Sequence, residues 1–464
     1  MKKLNLLLFL ITLILYQRVE AQQDSVFTLD QCIDYAFENQ ATVKNAVLDQ
    51  QIAQYKVKET RGLGMPQVSA DVNTLYNVQL QRLFMRDGAY YSLSGAAAQG
   101  VPPPSNPNQV IAIQQFLQLP TTNTASVTAN QILFDGAYLV ALQASKTYTE
   151  LSVKSTTQTK IEAVDKITKA FYLVLINEQR MKLLNVNLAR MDTALKQLRQ
   201  TNKNGLSENL DVSRLEVAYN NLQTDRVNVM NQLILTYSML KYQMGYPVNE
   251  DFRLSGSLDD LVTRLNMENS KVTNEFDYNN RIEYSLLQTQ KRLQELNYKS
   301  TMALSLPRLT AFGTAGTNNS QADYMKLYST PYYAYGFVGA RLSIPVFSGL
   351  NKYYQQQGAK IGIQKIQNNL QMMENTIDLQ INQSHIMLQN NLANIKSQKR
   401  NLELAEQVTR ITKVKFDEGV GSNLEVVDAE NSFKTAQTNY YNAVYDALVS
   451  LIDYQKATGT LYNK

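Results

Sequence analysis

Gly205-Leu206-Ser207-Glu208-Asn209-Leu210-Asp211-Val212 and Gly419-Val420-Gly421-Ser422-Asn423-Leu424-Glu425-Val426 spell the same turn twice, 214 residues apart (209 to 423). The same offset carries Glu216 onto Glu430 and Gly245 onto Gly459 without a gap. Upstream, Phe134-Asp135-Gly136 returns as Phe347-Ser348-Gly349 at an offset of 213, and Met65-Pro66-Gln67-Val68 as Leu306-Pro307-Arg308-Leu309 at 241. The chain therefore predicts two structural repeats, each holding a helix, a strand pair and a long helical hairpin. The boundaries that follow are 22–245 for the first repeat, 246–275 for a connecting segment and 276–464 for the second.

Around the quoted turns the chain is helical. Between Ala137 and Asn204 there is neither proline nor glycine, and at about 1.5 Å per residue such a helix is roughly 100 Å long, which a globular domain rarely holds. Leu184, Leu188, Met191, Leu195 and Leu198 follow a 4-3-4-3 spacing, the seam of a coiled coil, and Leu388, Leu392, Ile395 and Leu402 repeat it loosely. Gly205 and Gly419 stand where a left-handed residue ends a helix, and Ser207 and Ser422 are the expected N-caps of the returning helices. Those helices are expected to run about forty residues, to Gly245 and Gly459, with Leu29 to Arg61, Tyr246 to Glu275 and Asp277 to Met302 forming an intermediate layer.

The strands alternate. Val68, Ala70, Val72, Thr74, Tyr76, Val78 and Leu80 fall on one face of Gln67 to Gln81, with Gln67, Ser69, Asp71 and Asn73 on the other. That predicts a strand longer than the 5 to 6 residues usual in soluble sheets and long enough for an outer membrane, which takes about 9 to 11. Shorter alternations follow at Ala125, Val127 and Ala129; at Leu309, Ala311, Gly313 and Ala315; and at Val338, Ala340, Leu342 and Ile344. The loop with Pro102-Pro103-Pro104 and the one with Tyr324, Tyr328, Tyr332 and Tyr333 are expected to be external, tyrosines suiting the membrane–water boundary. Four strands cannot close a barrel, for which about eight is the minimum, so the chain must oligomerise, with a dimer giving eight strands and a trimer twelve.

The ends and the composition set the class. Lys2 and Lys3 before the apolar run Leu4 to Tyr16, then Val19-Glu20-Ala21, predict a signal peptide over residues 1–21 and export. Cys32, the single cysteine, lacks the small residues of a lipoprotein cleavage site before it and is expected to be an ordinary helix thiol. The net charge of +5 is small for 464 residues and no basic cluster interleaves with aromatics, which argues against nucleic acid. Any imidazole-based catalysis or multi-histidine metal site would have to be built around the single histidine, His385, in an Asn/Gln-rich helix; Gly62-Leu63-Gly64 precedes a strand rather than a phosphate-binding helix, and Met372 and Met373 suit packing. No enzyme and no cofactor is expected.

The opening Thr28-Leu29-Asp30-Gln31-Cys32-Ile33-Asp34-Tyr35-Ala36-Phe37-Glu38-Asn39, the turns Leu133-Phe134-Asp135-Gly136 and Val346-Phe347-Ser348-Gly349, and the two Gly-x3-Asn-Leu-acid-Val tips resemble those of the TolC-type outer-membrane efflux channels. The resemblance covers the mature chain. It implies a mostly α protein with a membrane β-barrel: a homotrimer whose twelve strands form one barrel, continued by a periplasmic barrel of twelve helices. It further implies a passive exit duct in the outer membrane, serving tripartite efflux or type I secretion. Its partners would be a periplasmic adaptor protein, docked on Gly205, Leu206, Ser207, Gly419, Val420, Gly421 and Ser422, and an inner-membrane transporter. A secreted coiled-coil structural or adhesive protein is the competing reading; it leaves the long strands unexplained. The resemblance also places Glu425 and Asp428 at a periplasmic gate, where three copies would gather six carboxylates and favour cations. Asp211 and Arg214 are their first-repeat counterparts and are expected to pair across neighbouring helices. The chain departs from the family at Gln40-Ala41, where many members carry Asn-Pro, and at Phe416 and Gly421, where relatives hold the gate with a Tyr and an Arg.

Overall fold

In the computed structural model, residues 26–114, 118–258, 261–263, 265 and 276–462 are described. The expected signal peptide and much of the connecting segment lie outside them. The chain divides into two compact units, one taking in the chain to Gln54, Thr147–Leu293 and Gly362 onward, the other Tyr55–Lys146 and Gln294–Ile361. The units cut across the sequence halves, since each draws on both.

The second unit is built on a four-stranded antiparallel sheet of β2 (Gln67–Tyr76), β5 (Thr121–Phe134), β7 (Arg308–Gln321) and β8 (Tyr333–Ser343), in the order β2-β5-β7-β8. The register settles what the separate alternations left open. Val68 faces Ala129, Ala70 faces Val127 and Val72 faces Ala125; Ala129 in turn faces Gly313 and Val127 faces Ala315; Gly313 faces Val338. Directly opposed residues share a face, so the apolar sets of all four strands lie on one side of the sheet. The other side carries Gln67, Ser69, Asp71 and Asn73 with Thr128, Ser126 and Thr124. At one end of the apolar face the side chains turn polar and are covered. Asn319 donates to the Leu327 carbonyl at 2.9 Å and to Thr330 Oγ1 at 2.8 Å, and Asn123 donates to the Tyr332 hydroxyl at 3.0 Å.

The first strand stops at Tyr76, short of the expected Gln81. Its partner strand begins at Thr121 opposite Tyr76, and the residue before it, Pro120, has no N–H to continue the ladder; its carbonyl accepts from Asn77 instead, at 2.7 Å. The segment expected to be a plain external loop holds a second sheet, β3 (Arg82–Arg86) paired antiparallel with β4 (Val110–Gln114), and a short helix α3 (Asp87–Leu93). The strand-to-helix turn after β5 is fixed by Asp135, whose Oδ1 accepts from the amides of Ala137 at 2.8 Å and Tyr138 at 3.1 Å.

Among its described residues the first unit is built of helices apart from β1 (Val26–Phe27), which pairs in parallel with β6 (Arg253–Leu254). It holds α1 (Leu29–Asn39) and, wholly or in part, α2 (Ala41–Gly62), α4 (Gly136–Lys203), α5 (Asn209–Met244), α6 (Ile282–Ala303), α7 (Asn351–Asp417) and α8 (Asn423–Ala457). α4 and α7 run 68 and 67 residues; α5 and α8 run 36 and 35, a few fewer than expected. Thr28 and Gln31 close a capping box at the start of α1. One core gathers Cys32, Ala36, Val43, Ile167, Val174, Leu240, Met244, Val444 and Leu448, edged by a cluster of Phe27, Tyr35, Tyr246 and Phe252 rings. Cys32 lies within it, and burial pushes its thiol up to about 12, so it is unreactive at neutral pH.

Candidate functional site

The two quoted turns are the tips of two helical hairpins, α4–α5 and α7–α8, and both belong to the first unit. α4 and α5 zip together through the predicted seam: Leu184, Met191, Leu195 and Leu198 pack with Val212, Leu215, Leu222 and Val229 in a core of their own. Phe416 and Val427 of the second hairpin pack against the same core. The turns are thus held on rigid rods.

Gly205 and Gly419 adopt φ of +74° and +77°, the left-handed conformation the sequence predicted, with open space around the position of a Cβ. Leu206 and Val420, the residues that follow, are 78% and 79% exposed. The two turns close differently. At the first, Leu206 N–H donates to the Thr201 carbonyl at 3.0 Å and Asn202 Nδ2 to the Ser207 carbonyl at 2.7 Å. Ser207 is not the N-cap: that position falls to Glu208, without a side-chain bond, because the Ser207 hydroxyl points back to the Leu198 carbonyl at 3.4 Å. At the second, Ser422 is the N-cap as expected and accepts from Glu425 N–H at 3.2 Å. Val420 and Gly421 both donate to the Lys415 carbonyl, at 2.9 and 3.0 Å. This brings Gly421 so close that a Cβ there would sit 3.0 Å from the Phe416 nitrogen.

Asp211 and Arg214 approach each other at 3.9 Å along their own helix, three residues apart, rather than across helices as expected. The cross-helix tie at this level comes from Asn423, which is 5% exposed and donates through Nδ2 to the Asp211 backbone carbonyl at 3.0 Å. Sequence reasoning passed over Asn423 as the shared first letter of Asn-Leu-acid-Val; its counterpart Asn209 is exposed. Glu425 and Asp428 are exposed, share a helix face three apart, and make no ion pair among the described residues. Between the tips lies a groove of about 620 Å³ whose lining includes Leu198, Leu206, Ser207, Asp211, Gly419 and Ser422.

Further along the helices, polar layers tie the hairpins together. Asn187 donates to Gln437 Oε1 at 2.9 Å, both side chains buried, and Arg190 reaches Asn187 Oδ1 while its guanidinium lies 5.5 Å over the Phe433 ring. Lys434 pairs with Asp225. Beyond that layer Asp165 of α4 meets Lys169 at 2.7 Å and Lys456 of α8 at 2.8 Å, and Lys169 also reaches Asp453 at 2.6 Å. Burial pushes the Asp165 carboxyl up, but the two ammonium groups override it and hold it below its ordinary 3.8. None of these residues carried a signal in the sequence beyond being polar on a long helix. Among the described residues no group of three or more His, Cys, Asp or Glu side chains is placed to hold a metal ion, and no helix is long and apolar enough to cross a membrane.

The family model described as "Outer membrane efflux protein" matches residues 284–460. The chain is 20% identical over 340 residues to the outer membrane protein TolC of Vibrio cholerae serotype O1, covering 73% of this chain and 77% of that protein. Among solved structures it is similar to VceC, an outer membrane protein of Vibrio cholerae, with a TM-score of 0.68 at 14% identity over 93% of this chain and 96% of the other. The open state of the Neisseria gonorrhoeae MtrE outer membrane channel matches with a TM-score of 0.68 at 16% identity, over 93% and 88%. At such identities the likeness carries the fold.

Proposed function

We infer that this chain, which belongs to the TolC-type family of outer membrane efflux proteins, is an outer-membrane efflux channel, the passive exit duct of a tripartite pump or type I secretion system. The observation that carries the reading is the four-stranded sheet: one continuous apolar face, and two edge strands, β2 and β8, each paired on one side alone among the described residues. In hydrocarbon an unpaired edge costs several kcal/mol per exposed group, so β2 of one copy must meet β8 of another. Three copies close twelve strands, and the four long helices of each copy contribute to one periplasmic tunnel. The reading predicts a heat-labile trimer in mild detergent that conducts ions in a planar bilayer. A detergent-free soluble monomer would overturn it and return the chain to the secreted coiled-coil alternative.

The two-repeat organisation, with domains 22–245 and 276–464 about a 246–275 connector, is part of the same reading. It is supported by matching closures: Gly245 and Gly459 both end their helices at positive φ, of 71° and 72°. Each also presses on a backbone, Asn39–Gln40 for the first and Asn280 for the second. Asn39 and Asn280 are themselves 241 residues apart, the offset of the strands.

The tips are the docking end. Two exposed apolar side chains, Leu206 and Val420, flank the groove between the hairpins, which suits a helical hairpin of a periplasmic adaptor that links the duct to an inner-membrane transporter. A bulky side chain at Gly205 or Gly419 would meet no neighbour and would strain only its own left-handed backbone, by about 1 kcal/mol, so it should abolish export while leaving trimer yield close to wild type. Equal loss of both would make the tips structural only. Glu425 and Asp428, together with Asp211 and Arg214, form the gate, where carboxylates that make no ion pair among the described residues favour cations when three copies gather them.

A further inference from the structure

The β3–β4 hairpin forms a sheet of its own, outside the four-stranded one, and its two faces differ sharply in what they meet. Its register places Leu83 and Met85 opposite Ile113 and Ile111 on one side, and Phe84 and Arg86 opposite Ala112 and Val110 on the other, with Arg82 in line. The first side is largely half-buried. On the second, Arg82, Phe84, Arg86, Val110 and Ala112 are all exposed, Phe84 to 70%.

Two arginines therefore flank an exposed aromatic ring on a surface that no described residue covers. Among the described residues neither arginine makes an ion pair, whereas Arg308 of the same unit reaches Asp135 at 3.3 Å. Between Asn77 and Pro120 the only other charge is Asp87, in the first turn of α3, so the segment is net positive. The hairpin also follows directly on the strand end marked by tyrosines: Tyr76 lies 6.5 Å from Tyr324, which stacks edge-on against Tyr328. Such a belt marks the level at which hydrocarbon gives way to headgroups.

We propose that the Arg82–Phe84–Arg86 face binds the phosphate-bearing headgroups of anionic outer-leaflet lipid. Guanidinium groups recognise phosphate through paired N–H donors, and an aromatic side chain between them enters the acyl boundary. Along a strand the two arginines stand about 13 Å apart, too far to share one phosphate, so each takes its own. The proposal rests on the sheet lying in the outer membrane.

The full chain, incorporated into phosphatidylcholine nanodiscs doped with phosphatidylglycerol and then extracted with mild detergent, should carry phosphatidylglycerol in excess of its share of the disc, as read by mass spectrometry. Arg82→Gln with Arg86→Gln should lower that enrichment roughly tenfold, and raised salt should do the same to the wild type. Phe84→Ser should lower the retention of both lipids. A double variant that enriches phosphatidylglycerol as well as the wild type overturns the proposal. So does one that loses its oligomeric state instead, which would make the face a contact with a second copy. A chain that never enters the discs would overturn the membrane reading itself, and is told apart from these by the absence of any disc-bound protein.

Discussion

The two hairpin tips share a sequence pattern and a left-handed glycine, yet the second is the tighter and more negative of the two. In the first, the serine turns back to a carbonyl of the outgoing helix, the N-cap position lacks a side-chain bond, and the acid has a basic neighbour, Arg214. In the second, the serine caps its helix, Gly421 is pressed against the backbone, Asn423 is buried, and Glu425 and Asp428 stand unpaired among the described residues. A repeated turn motif thus specifies the chain reversal, while the side chains around it decide which tip bears on its neighbour and which presents charge. The second tip holds the first, through Asn423 and the Asp211 carbonyl.

The largest effect is expected where the two hairpins are tied far from either tip. Asp165→Asn leaves Lys169 and Lys456 without their shared carboxylate and should destabilise the protein by about 3 kcal/mol, a loss of the order seen when one partner of a buried ion pair is removed. It should lower thermal stability without altering gate selectivity; a variant that changes selectivity alone would break the distinction between layer and tip. The same group sets an acid response. Its carboxyl is held below 3.8 in the folded protein, so its contribution is fully present above the unfolded value and is lost as pH falls through the folded one. Acid unfolding curves of wild type and Asp165→Asn should therefore draw together as the pH falls below the ordinary carboxylate value and through the lower folded one.

Asn423→Ala removes the tie between tips, while the Asp211 carbonyl keeps its place in its own helix; the loss should cost about 1.5 kcal/mol and raise the resting conductance in a planar bilayer. Asn209→Ala, at the matching exposed position, should be near neutral in both. Equal effects would make the tips equivalent. Ser422→Ala should lose a helix cap, about 1 kcal/mol by denaturant unfolding, and Ser207→Ala less than half as much. Finally, Glu425→Gln with Asp428→Asn should reduce cation selectivity and block by multivalent cations severalfold. Asp211→Asn, whose charge Arg214 already balances, should change them less; a larger change would move the gate charge to the first tip.

Much of this was legible in the chain because it is written in periods and turns. The alternation of Val68 to Tyr76 gives a two-faced strand, the 4-3-4-3 leucines give the α4–α5 seam, and Gly205 and Gly419 fall where a helix must reverse. Each is a local rule in which the residue and its near neighbours fix the backbone. The true end of the first strand was not legible, because alternation continues past Tyr76 while the ladder ends at Pro120, before another strand. Nor was the β3–β4 hairpin, whose strands are short and separated by a helix and a proline-rich stretch.

By itself, then, the sequence determined the helix lengths to within a few residues and the conformation of the tip glycines, since these depend on contacts within a turn or two of chain. The tertiary structure alone decided that four weakly alternating strands place their apolar residues on a single face, because register is a relation between strands and one step of slip would reverse it. It alone decided that Asn423 is buried against the Asp211 carbonyl while Asn209, in the same motif, faces solvent. Burial is set by what packs alongside, and residues 212 apart in the chain meet there for reasons no local pattern contains.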